Sequence, residues 1–307
     1  MPTVAKGSTD KYLADLDRTQ YQLQHIQDQV TSGLRVQRAA DDPLSVPDIL
    51  QIQSYLAQNQ QLQTNLGNVK AELESSDAAL QDAVKAIEDA ISLAAQGGAS
   101  TTASAQQRSI LAEQIKGLQE TLVGLSQANV NGRYLFSGDQ DTQPAYQLDL
   151  SQPDGVTKLL SSPATRIIQD ANGTVISSAK TAGEIFDPRN PDGTAATGNA
   201  FAALNALRVA LENNDSAAIS QAQSALHAAD DYVNVQAVFY GNAQNRVASS
   251  IDLAQRFQLE HQTELSQLRD TDVPAAALQL TQLQTQEQAS LAVQAKKSGM
   301  SLFDFLS

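Results

Sequence analysis

Histidines are the residues of this sequence best suited to metal binding or acid–base chemistry, and there are only three of them. His25, His227 and His261 lie far apart along the chain, and no Glu or His is expected at a helical spacing from them that would make a zinc site. We therefore expect them to be solvated or partly buried helix residues, and no metal site is predicted.

Two acidic pairs could bind calcium or act as catalytic carboxylates. Asp139 and Asp141 resemble the start of a calcium loop, but the glycine and the terminal glutamate of such a loop are missing, so a turn is predicted. Asp41 and Asp42 precede a helix, and helix capping accounts for both. With no nucleophile–base set and no glycine-rich phosphate loop, the sequence predicts no catalytic residue and no cofactor. A hydrolase in the middle of the chain is the least favoured alternative.

The composition excludes several other classes of protein. The 307 residues include no cysteine, which excludes disulfides, thiol catalysis and thiolate metal sites. A net charge of −14 argues against a nucleic-acid partner. No apolar run approaches the roughly 20 residues of a membrane span, so no membrane insertion is expected. Residues 1–9 lack the features of a signal peptide, so a protein acting outside the cell would be exported without cleavage.

Apolar residues repeat at alternating spacings of four and three in the first part of the chain. Tyr12, Leu16, Leu23, Ile26 and Val30 fall on one stripe of a predicted helix, and so narrow a stripe is buried by a partner helix. A second helix of about twice that length is predicted from residue 44 to residue 95. Asn59 and Gln63 interrupt its apolar seam, so we interpret them as residues that fix the helix register. After Gly97-Gly98, a third helix is expected to fold back on the second.

A specified elbow joins the first two helices. Gly33 suits the left-handed conformation that ends a helix, and Leu34 supplies the hydrophobic contact that accompanies such an end. Asp41, Asp42 and Ser45 are suitable helix N-caps, and Pro47 favours a restart at Ser45.

The middle of the chain changes in character. Residues 133–138, Arg-Tyr-Leu-Phe-Ser-Gly, predict a strand, and residues 138 to about 187 predict a small β-rich domain. A hairpin around Asn172-Gly173 is its best-defined element. Helices then resume, and in the last of them Leu280, Leu291 and Leu302 are spaced eleven apart, which places them on one line.

These patterns predict a mainly α protein, namely a long antiparallel coiled-coil or helical-bundle rod with a small β-rich domain inserted mid-chain. Five segments are expected: 1–43, a terminal helix and elbow; 44–137, a helical hairpin; 138–198, the β-rich domain and a linker; 199–269, the returning helices; and 270–307, the C-terminal helix.

Four motifs carry a family resemblance. Residues 31–43 of the elbow resemble the signature between the first two helices of bacterial flagellins. Residues 131–138, Asn-Gly-Arg-Tyr-Leu-Phe-Ser-Gly, and the tail 301–306, Ser-Leu-Phe-Asp-Phe-Leu, are similar to those of the superfamily members found at the hook–filament junction. Residues 241–246 resemble a stretch of the long C-terminal helix that both groups share. The resemblance identifies the chain as a member of the flagellin superfamily and implies a flagellin-like fold.

The resemblance also implies a function and partners. It implies a structural adaptor of the extracellular flagellum, exported unfolded by the flagellar type III system and assembled as a ring of copies between hook-associated protein 1 and flagellin. A flagellar export chaperone would cover the C-terminal helix before assembly. The residues expected at the assembly interface are Tyr12, Leu16, Leu23, Ile26, Val30, Leu34, Arg35, Asp41, Asp42, Leu280, Leu283, Leu291, Leu302, Phe303 and Phe305.

Two alternatives remain open at this point. A short flagellin, which would form the filament itself, has the same kind of helices. A coiled-coil secretion or binding protein unrelated to flagella fits the heptads but leaves the ordered motifs unexplained.

Overall fold

The structure is a computed structural model, and it describes the backbone of residues 3–98 and 104–303 and the side chains of residues 10–98 and 104–296. Its contacts divide the chain into two compact units. We call residues 1–58 and 257–307 the terminal unit and residues 59–256 the central unit. The five segments expected from the sequence stay a prediction.

Helices dominate the described residues, as predicted. They are α1 Thr3–Ser32, α2 Val46–Gly98, α3 Ala105–Ser126, α4 Ala182–Phe186, α5 Ala200–Glu212, α6 Ser216–Arg269 and α7 Val273–Phe303. The restart of α2 lies within one residue of the predicted position, and the amide of Ile49 donates to the Ser45 carbonyl at 3.0 Å. Pro47 therefore lies in the first turn, where its missing N–H costs no helical hydrogen bond.

Short strands occupy the middle of the chain. They form three two-stranded antiparallel sheets: β1 Asn129–Val130 with β2 Arg133–Tyr134, β3 Tyr146–Leu148 with β4 Val156–Lys158, and β5 Ile167–Gln169 with β6 Val175–Ser177. The hairpin predicted around Asn172-Gly173 is the β5–β6 pair, in which Ile168 lies opposite Ile176. The mainly α fold with a strand-containing middle segment is thus confirmed.

The strand predicted for residues 133–138 is wrong for most of its length. Only Arg133 and Tyr134 pair as a strand, and Leu135 and Phe136 turn into the core instead. The chain reverses at Asn131 and Gly132, whose φ angles of 54° and 80° are those of a tight hairpin turn. Burial of these apolar side chains against helices therefore outweighed the β preference of the run.

One hydrophobic core fills the central unit. Leu66, Leu73, Leu80 and Ile87 repeat every seven residues along α2, and all four are fully buried. The same cluster contains residues of three other helices, namely Ile115 and Leu122 of α3, Leu204 of α5, and Leu226 and Val233 of α6. It also contains three aromatic residues of the strand-containing segment, Phe136, Tyr146 and Phe186. The strand-containing segment therefore packs on the helices through a shared core.

A smaller core lies in the terminal unit. Val36 of the elbow, Ile49 and Ile52 of α2 and Leu265 of α6 form it, and Leu56 and Leu268 pack against it. This cluster ties the elbow to the start of α2 and to the end of α6.

Candidate assembly surface

The first and last helices pair within the terminal unit. The Tyr12 hydroxyl donates to the carbonyl of Ser290 at 3.2 Å, and the Gln20 amide donates to the Glu287 carboxylate at 3.2 Å. Further along, Leu34 forms a β-bridge with Asp270. Since the partner numbers fall on α7 as they rise on α1, the two helices are antiparallel, and each supplies the partner that the other's apolar stripe requires.

The predicted stripe of α1 faces this seam. Ile26 is buried, and Tyr12, Leu16, Leu23 and Val30 are half-buried. On α7 the inward positions alternate by four and three, and they are Ala276, Leu280, Leu283, Glu287, Ser290 and Gln294. Of these, Ala276 and Leu283 are buried and Leu280 is half-buried.

Leu291 does not belong to the seam, because 48% of it is exposed. The eleven-residue line of leucines therefore does not follow the contact with α1, since a four–three repeat drifts away from such a line. Leu302, Phe303 and Phe305, the other predicted interface residues of this end, lie outside the residues whose side chains are described.

Large apolar side chains point away from the seam on both helices. Tyr21 of α1 is 72% exposed, and Val293 of α7 is 65% exposed. Leu13, Leu278 and Leu291 are about half exposed or more. A two-helix pair leaves apolar surface of this kind uncovered, and such surface commonly marks a protein interaction site.

The sequence analysis missed part of this outward set. It selected apolar residues on the heptad stripe, and therefore omitted Leu13, Tyr21, Leu278 and Val293. The signal that could have found them is the presence of large apolar residues off the stripe of a helix that has only one intrachain partner.

The elbow is fastened to the junction between α6 and α7. Gly33 has a φ of +72°, which favours glycine, and this conformation ends α1 as predicted. The amides of Arg35 and Val36 both donate to the Arg269 carbonyl, at 2.7 and 3.1 Å, and the amide of Thr271 donates to the Gly33 carbonyl at 2.9 Å. We call these three hydrogen bonds the elbow clasp.

Side chains reinforce the clasp. The Arg35 guanidinium pairs with Asp42 at 2.9 Å and donates to the Leu268 carbonyl. The Ser45 hydroxyl donates to the same Asp42 carboxylate at 2.7 Å. The hydrogen bond from Ser45 and the one from Arg35 lower the pKa of Asp42 below its usual value.

Asp41 stabilises the elbow in a different way from the predicted one. Its carboxylate accepts the amides of Gln37 and Arg38 at 2.9 and 2.8 Å, so it caps the turn before α2 and not α2 itself. These backbone hydrogen bonds, that of Arg38 first, lower the pKa of Asp41. The polar groups of Arg35, Asp41 and Asp42 thus bind within the chain, and their place in an assembly interface stays a proposal.

The other candidate residues for chemistry have structural partners. Asp139 accepts the amide and the hydroxyl of Thr165, both at 2.9 Å, and Asp141 pairs with Arg133 at 2.6 Å. His261 lies 3.3 Å from Glu264, a carboxylate three residues on that the sequence analysis overlooked, and its ring stacks on Tyr55. In the part of the chain that the structure describes, no group of three His, Asp or Glu side chains could hold a metal ion.

No helix among the described residues is both long and apolar enough to cross a membrane.

The two ends of the chain match one family. Residues 7–141 match the family described as the bacterial flagellin N-terminal helical region, and residues 225–306 match the bacterial flagellin C-terminal helical region. The chain belongs to the flagellin superfamily. It is therefore a structural protein and not an enzyme, as predicted.

Similar proteins within this superfamily extend over nearly the whole chain. Flagellar hook-associated protein 3 of Escherichia coli (strain K12) is 25% identical over 296 residues, which cover 90% of each chain. The protein of the same name from Salmonella typhimurium is 24% identical over 311 residues and covers 96% of each chain.

Solved structures share the fold. A protein described as a flagellar hook-associated protein of Vibrio parahaemolyticus matches 75% of this chain and all of its own with a TM-score of 0.65 at 19% identity. The flagellar junction protein FlgL of Legionella pneumophila matches 72% of this chain and 99% of its own with a TM-score of 0.57 at 11% identity.

Proposed function

We propose that this flagellin-superfamily protein is a structural adaptor that joins the hook of the bacterial flagellum to the flagellin filament. The observation that carries the proposal is the outward apolar surface of the α1–α7 pair, which Leu13, Tyr21, Leu278, Leu291 and Val293 form. The full-length similarity to relatives named flagellar hook-associated protein 3 supports the choice of adaptor over filament subunit.

The proposal names the partners of this surface. Copies of the chain assemble as a ring in the extracellular flagellum, with hook-associated protein 1 on the hook side and flagellin on the filament side. Before assembly, a flagellar export chaperone covers the exposed apolar side chains of α7. Export proceeds through the flagellar type III system.

The mechanism follows from how much burial the monomer provides. The α1–α7 seam contains few buried side chains. Because helices in proteins are stabilised mainly by the packing of their apolar faces, the contact between α1 and α7 alone stabilises the two helices only weakly. Neighbouring subunits that bind only the paired form stabilise it by mass action. The elbow clasp holds the start of this pair in place while its outward side chains remain available.

Replacing Leu291 tests the proposal, because this side chain is outside the α1–α7 seam. We expect Leu291→Asp to leave the monomer folded, as judged by circular dichroism, and to reduce binding to hook-associated protein 1 or to flagellin at least tenfold in sedimentation assays. Leu280→Asp should also abolish assembly, but it places a charge in the seam and so disturbs the pair itself.

Gln284→Asp is the matched control. It adds the same charge to an exposed position of α7 but removes no apolar contact. Equal binding by wild type and Leu291→Asp would contradict the proposal.

A short flagellin is the second candidate, and the flagellin family matches at both ends favour it. If the chain is a short flagellin, the purified protein alone polymerises into long filaments. If it is an adaptor, it assembles only in mixtures with hook-associated protein 1 or flagellin. Electron microscopy of the chain alone and of the mixtures distinguishes the two.

A further inference from the structure

The long helices α2 and α6 pack against each other within the central unit. The Asn59 side chain of α2 donates to the Ala254 carbonyl of α6 at 2.7 Å, and the Gln244 side chain of α6 donates to the Leu73 carbonyl of α2 at 3.2 Å. Partner numbers therefore fall on α6 as they rise on α2, so the two helices are antiparallel.

Asp230 of α6 brings a carboxylate into this contact. Ala229 and Val233 of the same helix are fully buried in the core, and the Oδ1 atom of Asp230 is buried without a hydrogen-bond partner. The antiparallel pairing places Glu88 of α2, which follows the fully buried Ile87, beside it. A buried carboxylate oxygen without a donor destabilises the fold, because water no longer solvates its charge.

The charges around Asp230 add to this destabilisation. Glu88 of α2 and Asp231 of α6 carry the same charge, whereas His227, one turn earlier on α6, attracts the carboxylate when it is protonated. Among the described residues no lysine or arginine pairs with Asp230, and the ion pairs that α2 forms do not include Glu88. Burial first, and then the charges of Glu88 and Asp231, raise the pKa of Asp230 above its usual value.

We propose that Asp230 makes the contact between α2 and α6 dependent on protonation. In its ionised form the carboxylate weakens the contact, because a charge buried beside Glu88 opposes the packing of the two helices. Protonation removes this charge, and the apolar packing of the two helices then acts without opposition. At neutral pH the central unit is therefore less stable than its core alone would make it.

The raised pKa sets the direction of the pH dependence. A carboxyl whose pKa is raised by folding destabilises the folded state above that pKa, and the effect disappears below the unfolded pKa of about 3.9. Asp41 and Asp42 of the elbow respond in the opposite sense, because folding lowers their pKa values. Acid thus weakens the elbow but relieves the α2–α6 contact. This property belongs to the free chain and goes beyond the proposed adaptor function.

Removing the charge of Asp230 in the full chain tests the proposal. We expect Asp230→Asn to raise the melting temperature at about pH 7 by about 2 °C or more relative to wild type. The gain should shrink as the pH falls towards about 4, because the wild-type side chain then takes up a proton itself. Differential scanning calorimetry at several pH values measures both effects. Asp230→Ala repeats the test without placing an amide in the contact.

Asp252→Asn is the matched control, because it removes the same charge from an exposed position of α6. Its melting temperature should stay within about 1 °C of wild type. Glu88→Gln should give a smaller gain than Asp230→Asn, and the double variant should gain little beyond Asp230→Asn, because the repulsion is already removed. No gain at neutral pH in either variant of Asp230, or a gain that is the same at pH values of about 7 and 4, would overturn the proposal.

Discussion

At the scale of single residues, buried polar side chains fix how the helices of the central unit meet. Asn59 of α2 is largely buried, and its side-chain amide donates to the Ala254 carbonyl of α6 at 2.7 Å. The sequence analysis interpreted Asn59 as a residue that fixes register, and a hydrogen bond to a neighbouring helix is what that role requires.

We expect Asn59→Ala to lower the free energy of unfolding by about 1–3 kcal/mol, because it removes a buried hydrogen bond between two helices and leaves a gap. Urea unfolding followed by circular dichroism measures the change. Asn68→Ala, at an exposed position of the same helix, should stay within about 0.5 kcal/mol of wild type. Equal effects of the two substitutions would contradict the role of Asn59.

Asp187 is the second residue with a large expected effect. Its buried carboxylate accepts the Tyr146 hydroxyl at 2.8 Å, the Arg189 guanidinium at 2.9 Å and the Asn199 amide at 2.6 Å. The burial of Tyr146 and its contact with this carboxylate raise the pKa of the phenol well above its usual value. The carboxylate therefore holds the end of α4, β3 and the start of α5 together.

Asp187→Ala removes the acceptor of three hydrogen bonds and leaves the buried Tyr146 hydroxyl without its partner, so we expect a loss of about 3 kcal/mol in the free energy of unfolding. The exposed Asp192→Ala in the same linker serves as the control, with a loss below about 1 kcal/mol. Differential scanning calorimetry of both variants checks the difference. A melting temperature of Asp187→Ala equal to that of the control would show that this network contributes little.

At the scale of elements, the elbow sets the direction of α1 relative to the start of α2. The carboxylates of Asp41 and Asp42 have lowered pKa values, so they stabilise the elbow fully above their unfolded pKa of about 3.9. That stabilisation is lost as the pH falls through the lowered folded values.

We expect the elbow clasp to open in acid as the pH falls below about 4. Hydrogen-exchange protection of the Arg35, Val36 and Thr271 amides, corrected for intrinsic rates, should fall across this range. The double variant Asp41→Asn and Asp42→Asn should be less protected already at pH 6, and Asp28→Asn on exposed α1 should behave like wild type. Identical pH profiles of the double variant and wild type would contradict this account.

The elements were predictable where one repeat continues for many residues. The four fully buried residues Leu66, Leu73, Leu80 and Ile87 lie seven apart, so local pattern and tertiary packing agree along α2. The hairpin at Asn172-Gly173 was predictable because an exposed glycine with a φ of +80° suits its turn.

The short, buried middle of the chain was less predictable. Leu135 and Phe136 have β-type side chains, but the core of the central unit determines their conformation. A distant contact also explains why residue 138 is a glycine, because a Cβ there would lie 2.5 Å from the Pro163 carbonyl oxygen. Such long-range contacts leave no signal in the local sequence.

The same limit applies to the candidate assembly surface. Heptad spacing identified the inward residues of α1, such as Ile26, whereas the eleven-residue line predicted on α7 included the exposed Leu291. It could not identify Tyr21 or Val293, because their exposure depends on which faces the partner helix leaves uncovered.

At the scale of the whole molecule, the central and terminal units differ in how much burial they complete alone. The central unit contains a continuous core with many fully buried side chains. The core of the terminal unit is small, and the pair of α1 and α7 exposes large apolar side chains. We therefore expect the central unit to be stable in the free protein and the α1–α7 pair to gain stability from partners.

Limited proteolysis with mass spectrometry tests this central claim most directly. The purified protein is digested alone and after mixing with hook-associated protein 1 and flagellin. We predict rapid cleavage before about Gly33 and after about Asp272 in the free protein, and protection of both segments in the mixture, while the central unit resists throughout. Resistance of both terminal segments from the outset would contradict the account, because the α1–α7 pair would then need no partner.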